Sequence, residues 1–314
     1  MEATEWRFVK NRTADSDGAV YVSADGNRYR RTGGEGLRAE AAFQRQIAEL
    51  DYPVPRLLEE GVTDDGHVFV VEQSLGGQTL HDLAVASLDG DRVLSDEVVD
   101  LAGQVSARLL LAQAAHPVAD APGQLREWVE QAGFTANVFK ENPDLDTART
   151  HAALGNALDA LASVPLCRGH LDYGLPNVLP AGVIDWQHHG VVPLGYDVLP
   201  TLEVIPFKGG NKGYTATTAQ RQRFLTVLDE ASESVTGQPV SQHLGAYLLV
   251  KALFFLALMR PTDPTRADKH LKWQYRRHLF AKGLEQYERT GEVDTSLFPT
   301  LDDFAVRYRA GDHP

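Results

Sequence analysis

The first seventy-odd residues alternate between short β-prone runs and a single helical stretch, and nearly everything after them repeats with a helical period. Ala19-Val20-Tyr21-Val22-Ser23 and Arg28-Tyr29-Arg30-Arg31 flank Ala24-Asp25-Gly26-Asn27. An Asp-Gly pair between β-prone runs predicts a hairpin, because its turn needs positive φ. Gly33-Gly34 breaks the second strand. From about Glu35 to Leu50 the apolar positions Phe43, Ile47 and Leu50 recur at helical spacing, and Pro53-Val54-Pro55 stops that helix. Val68-Phe69-Val70-Val71 reads as a buried strand ended by Gly76-Gly77.

Beyond Thr79 the period lengthens. Ser95 is placed to N-cap a helix whose face carries Val98, Leu101, Ala102, Val105, Leu109 and Ala112. Further helices are predicted near 124–132, 147–163, 217–232, 241–260 and 268–289, the last stopped by Gly291. Between Arg168 and Asp197 the helical pattern gives way to a Gly/Pro-punctuated excursion with two short apolar runs, Val178-Leu179 and Val183-Ile184. The pattern predicts an α+β molecule of two lobes. Residues 1–75 form a small β-rich lobe with one helix and residues 76–314 a larger, mostly helical one, with ligands bound in the cleft between them.

Composition narrows the function classes. Acidic residues outnumber basic ones 43 to 30, a formal charge of −13, which argues against nucleic acid as a partner because phosphate backbones need a basic surface. It suits a cationic small molecule. The single cysteine, Cys167, excludes an internal disulfide and a cysteine-cluster metal site, and its apolar neighbours predict a buried, inert thiol. Met1–Trp6 has neither the basic start nor the apolar stretch of a signal peptide. The apolar run from Leu244 to Met259 is shorter than a membrane span and contains Lys251, so it reads as a core helix. Together these features predict a cytoplasmic protein with no membrane partner.

Chemistry concentrates in the excursion. Phosphoryl transfer needs a carboxylate to orient or deprotonate the attacking hydroxyl, and oxygen ligands for one or two Mg²⁺ ions. Asp172, the amide of Asn177 five residues on, and Asp185 after a short apolar run supply that set as base, metal ligand and metal ligand. His188-His189 is a weaker metal candidate, since adjacent residues of an extended segment face opposite ways. Lys208-Gly209-Gly210-Asn211-Lys212-Gly213 lacks the hydroxyl residue that follows lysine in a P-loop and reads as a surface loop.

The run His170-x-Asp172-x4-Asn177-Val178-Leu179, the following Gly182-Val183-Ile184-Asp185-Trp186 and the later Gly195-Tyr196-Asp197 resemble the aminoglycoside phosphotransferase and choline kinase-like family, small-molecule kinases of protein-kinase-like fold. Arg38-x-Glu40, Pro53-Val54-Pro55 and Val71-Glu72-x-x-Leu75-x-Gly77-x-x-Leu80 resemble that family's N-terminal lobe, in the same order. The resemblance implies a kinase that moves the γ-phosphoryl group of ATP or GTP to a hydroxyl of a small molecule. It makes Asp172 the catalytic base and Asn177 and Asp185 the Mg²⁺ ligands. His170 and Asp197 would brace the catalytic loop, and Glu40 would pair with the basic residue on the strand after the hairpin. The stretch Glu72 to Ser74 would be the hinge that meets the nucleotide base. The acceptors it implies are antibiotics first and choline-like or amino-alcohol metabolites second; a further reading, from the departures below, is a non-catalytic kinase fold that binds nucleotide or a partner protein. The assembly would be a monomer or homodimer.

Three positions depart from the family's pattern. Leu171 stands where glycine is usual. Arg31, in the alternation Tyr29-x-Arg31, stands in for a missing phosphate-contacting lysine, while Arg30 points to the opposite face. The segment from Arg12 to Gly18 has one glycine where a glycine-rich phosphate cradle is expected, leaving Ser16 and backbone amides to meet phosphate while Asp15 and Asp17 oppose it.

Overall fold

The computed structural model describes residues 5–12, 18–88, 90–119, 125, 129, 134–203, 213–256 and 260–309. Its N-terminal part is an antiparallel sheet of five strands, β1 (Trp6–Asn11), β2 (Ala19–Ser23), β3 (Arg28–Gly33), β4 (Leu57–Val62) and β5 (Val68–Gln73), in the order β1-β2-β3-β5-β4. Gly26, at φ 73°, makes the predicted turn between β2 and β3. Helix α1 (Glu35–Ala48) lies on one face, burying Leu37, Ala41 and Ile47. Two strands were not predicted, β1 and β4, and they are the two edges of the sheet. Their side chains are largely exposed, so no burial forces apolar alternation on them.

After the sheet come α2 (Leu80–Ala86), α3 (Asp96–Ala115), α4 (Phe134–Glu141) and α5 (Ala148–Leu161). Ser95 caps α3, its hydroxyl accepting from the Val98 amide at 3.4 Å. The excursion then forms β6 (Leu166–Gly169), the two-residue strands β7 (Val178–Leu179) and β8 (Gly182–Val183), and β9 (Gly190–Pro193). β6 pairs with β9 and β7 with β8. The chain ends in α6 (Thr218–Thr236), α7 (Leu244–Lys251), α8 (Ala267–Thr290) and α9 (Leu301–Arg309). The helix predicted over 241–260 is instead a 3₁₀ turn at Ser241–His243, then α7, then a π-helical turn at Ala252–Leu256. That predicted near 124–132 falls mostly outside the described residues, as do Trp128 and most of the Lys208–Gly213 segment. Among the described residues no helix is long and apolar enough to cross a membrane.

Two contacts tie the sheet to the helical part at the excursion. The Pro53 carbonyl accepts the Val183 amide at 2.7 Å, and a Cβ on Gly182 would meet the same oxygen at 2.3 Å, so only glycine fits there. Phe43 on α1 stacks on His189, ring centres 3.7 Å apart. The hairpin β7–β8 therefore sits directly under the turn that ends α1.

Candidate active site

The chain leaves β6 at Gly169, passes the buried His170 and reaches Leu171 at φ 66°, in the left-handed region. A leucine there costs roughly 1–2 kcal/mol. Two things hold it. Its amide donates to Asp197 Oδ1 at 3.0 Å, and its side chain packs against the core. The His170 amide donates to Asp197 Oδ2 at 2.8 Å, and Gln113 of α3 adds its Nε2 at 3.0 Å. Asp197, 1% exposed, thus fixes the two peptide units that precede Asp172.

Asp172 is exposed at the end of this braced segment, while Asn177 and Asp185 are half-buried. Asn177 Nδ2 donates to the Asp172 carbonyl at 2.9 Å and to its Oδ2 at 3.3 Å. The Ile184 amide donates to the Asn177 carbonyl at 2.9 Å, which sets Asp185 next in line. His170 Nε2 donates to the Ile184 carbonyl at 2.8 Å and its ring meets buried Trp186 edge-on at 4.7 Å. One imidazole therefore joins the loop of Asp172 to the segment of Asp185. Asp185 adopts φ 66° and ψ 60° and starts a 3₁₀ turn, Trp186–His188. Both left-handed side chains of the excursion, Leu171 and Asp185, flank the candidate reacting groups, where backbone strain commonly collects.

The donor set suits a hard cation. The amide nitrogen of Asn177 is spent on Asp172, which leaves its Oδ1 as the atom for a metal, and the Ile184–Asn177 backbone bond brings the residue before Asp185 against it. No cluster of three carboxylate, imidazole or thiol groups occurs among the described residues. A Mg²⁺ held here would rely on one amide, one carboxylate, water and phosphate oxygens, the mixture this ion takes with nucleotides. His189 is otherwise engaged, its Nδ1 donating to the Trp186 carbonyl at 2.7 Å.

Arg31 lies in a buried polar network. It donates to Glu40 through Nη1, and through Nη2 to Gln44 Oε1 and Glu72 Oε2, each at 3.0 Å. Gln44 in turn donates to the Pro55 carbonyl at 2.8 Å and to Glu72 at 3.2 Å. Burial works against the Arg31 charge, but Glu72 and Glu40, with a smaller contribution from Asp185, raise its pKa overall. Burial likewise opposes the Glu40 charge, yet Arg31 and Arg12 hold that carboxyl below its ordinary value. The side chain of Glu72 thus points into this network. The Gln73 and Ser74 amides are already bonded, to the carbonyls of Arg56 and Asn27, both at 2.9 Å. Of the stretch from Glu72 to Ser74, those two amides are therefore spent within the protein. Arg30 lies over the Phe69 ring at 4.5 Å, away from α1. Ser16, Asp15 and Asp17 lie outside the described residues.

The sequence reading missed Gln44, Gln113 and Lys251. Each is a polar residue on a mostly apolar buried helical face, Gln44 with Glu40 and Gln113 with Ser106, and that is the signal they leave. Lys251 Nζ donates to the Asp197 carbonyl at 3.3 Å and the Tyr196 carbonyl at 3.4 Å. Burial lowers its ammonium to about 8, the charges of Asp197 and Asp172 offsetting part of the effect. With a folded value near 8 against an ordinary 10.5, the unfolded chain binds more protons between those limits, so stability rises with pH across that window. We expect the thermal midpoint of wild type to gain on that of Lys251→Met from pH 8 upward. Parallel curves would contradict it. Cys167 is buried, and burial first, then Asp197, pushes its thiol well up, which leaves it inert.

The model of the family described as "Phosphotransferase enzyme family" matches residues 28–234, well over half of the chain. A comparison with curated proteins finds no match. Among solved structures, aminoglycoside phosphotransferase APH(4)-Ia, as a thermostable mutant in a ternary complex with AMP-PNP and hygromycin B, is 18% identical over 89% of this chain and 94% of that one, with a TM-score of 0.52. The GDP complex of an aminoglycoside 2'-phosphotransferase-IIIa mutant is 14% identical over 91% of this chain and 94% of its own, with a TM-score of 0.54. Aminoglycoside-3'-phosphotransferase of type VIII is 21% identical over 81% and 95%, with a TM-score of 0.50. The fold is that of these protein-kinase-like enzymes.

Proposed function

Because the chain belongs to the phosphotransferase enzyme family, we propose that it transfers the γ-phosphoryl group of ATP or GTP to a hydroxyl of a small cationic molecule, an antibiotic of the aminoglycoside kind. The observation that carries this reading is the tie between Asn177 and Asp172, with Asp185 brought next to them through the Ile184–Asn177 bond. Asp172, exposed and oriented by the Asn177 amide, would accept the proton of the attacking hydroxyl. Asn177 Oδ1 and the Asp185 carboxylate would hold Mg²⁺, which when bound neutralises charge on the triphosphate. We place the division between lobes at residues 75 and 76, with the nucleotide under the sheet and the acceptor against the helices. The excess of acidic residues supports a cationic acceptor, as do the aminoglycoside enzymes of the same fold.

In the Asp185→Ala variant, Mg²⁺ is expected to lose its effect on nucleotide affinity, measured by calorimetric titration with AMP-PNP in the presence and absence of the ion. An unchanged Mg²⁺ effect would remove Asp185 from the metal site. The reading as a whole is tested by incubating the protein with ATP or GTP, Mg²⁺ and a panel of hydroxylated antibiotics and amino alcohols, then weighing the products by mass spectrometry. One compound gaining a phosphoryl group is the expected result. Nucleotide binding without any phosphorylated product across the panel would point instead to a non-catalytic member of the fold.

A further inference from the structure

The residue in the strand position of the usual lysine is tied by both terminal nitrogens to buried acceptors, although its Nε is buried without a partner among the described residues. Both terminal nitrogens of Arg31 are committed, to Glu40, Gln44 and Glu72, and those acceptors are themselves buried at 1%, 1% and 7% exposure. Swinging Arg31 toward a triphosphate would break three hydrogen bonds among buried groups and leave Glu40 and Glu72 with only Arg12 and Gln44 as donors, which is costly. Its geometry is that of a clamp joining β3, α1 and β5.

A second guanidinium reaches the same carboxylate. Arg12, at the end of β1, donates Nη2 to Glu40 Oε2 at 3.0 Å, and its side chain is 8% exposed. Its backbone amide donates to the Gly18 carbonyl at 2.8 Å, which ties the end of β1 to the start of β2. Its other terminal nitrogen, Nη1, is buried and has no hydrogen-bond partner among the described residues. A buried donor without an acceptor is unfavourable, so this arm is set for an anion. Arg12 and Arg31 reach the two oxygens of the same Glu40 carboxylate, which places Arg12 beside the strand position of the usual lysine. One half of its fork is held by Glu40 and the other is open, and a guanidinium in that state suits the planar, two-oxygen recognition of phosphate.

We propose that Arg12 binds the phosphates of the nucleoside triphosphate, while Arg31 positions Glu40 and through it Arg12. The inference rests on the phosphotransferase reading above and assigns the ligand of one more residue within it.

Calorimetric titration of wild type, Arg12→Gln and Arg12→Lys with Mg²⁺ and AMP-PNP or GMP-PNP, and separately with adenosine or guanosine, separates the outcomes. Arg12→Gln is expected to weaken the triphosphate analogue about 10- to 100-fold, the loss of a charge-assisted bond, with the nucleoside unaffected. Arg12→Lys should fall between, since one ammonium cannot serve both Glu40 and a phosphate. If Arg12→Gln does not fold, Arg12→Lys alone decides, and an affinity equal to wild type overturns the proposal. Equal triphosphate affinity in a folded Arg12→Gln overturns it too, and leaves the phosphotransferase reading intact. Failure of wild type to bind any triphosphate overturns that reading, and this proposal with it.

Discussion

Asp172→Ala is expected to lower turnover by about 10²- to 10⁴-fold, the usual contribution of a positioned general base, with nucleotide affinity kept. The side chain is exposed, so its removal opens no cavity and strands no buried donor. Among the described residues its side chain is hydrogen-bonded by Asn177 Nδ2, which keeps the Asp172 carbonyl at 2.9 Å as an acceptor in the variant. Folding and the metal ligands should therefore survive while the proton acceptor is lost. Steady-state turnover with the phosphorylated acceptor as readout, alongside an AMP-PNP titration, checks both halves. Undiminished turnover would take Asp172 out of the reaction.

Asp197→Ala should cost about 3 kcal/mol or more of stability. The carboxylate is 1% exposed and accepts from His170, Leu171 and Gln113 at 2.8, 3.0 and 3.0 Å. Alanine leaves the His170 and Leu171 amides without their acceptor, leaves Gln113 only the Arg168 carbonyl, and leaves Lys251 only the charge of Asp172. Leu171 also loses the bond that holds it at φ 66°, so the strained turn ahead of Asp172 is free to relax. Activity should fall with stability, even at temperatures where the variant remains folded. Asp197→Asn retains an acceptor oxygen but turns amide protons toward the backbone amides, so it should be intermediate. Chemical denaturation with turnover measured in parallel tests this, and a loss under about 1 kcal/mol would contradict the bracing role.

Legibility in the sequence followed burial. The inner strands β2 and β5 left apolar β-prone runs, β3 was marked by the Asp25-Gly26 turn that pairs it with β2, and α1 showed apolar positions at helical spacing. The edge strands β1 and β4 did not, being exposed on most of their positions. The excursion was readable because Asp172, Asn177 and Asp185 stand at spacings that resemble the family's motifs, and Asn177 is tied to Asp172. What could not be read was how the charged residues divide their partners. Arg31 looked like the substitute for a phosphate-binding lysine, since position on the strand is all that alternation reveals. Its ties to Glu40, Gln44 and Glu72 depend on three elements converging, and no local pattern encodes that. Leu171 likewise departed from the family's glycine, and the structure supplies the reason it can stand there: Asp197 and the core hold the strained turn from both sides.

The central claim is that Asn177 and Asp185 hold a divalent ion against a triphosphate beside Asp172. A crystal of the protein grown with AMP-PNP and Mn²⁺ in place of Mg²⁺ tests it most directly, because the anomalous signal of manganese locates the ion independently of the protein. The account predicts a peak bonded to Asn177 Oδ1, the Asp185 carboxylate and phosphate oxygens, with the terminal phosphate facing Asp172. Manganese bound elsewhere, or nucleotide bound away from these three side chains, would contradict it.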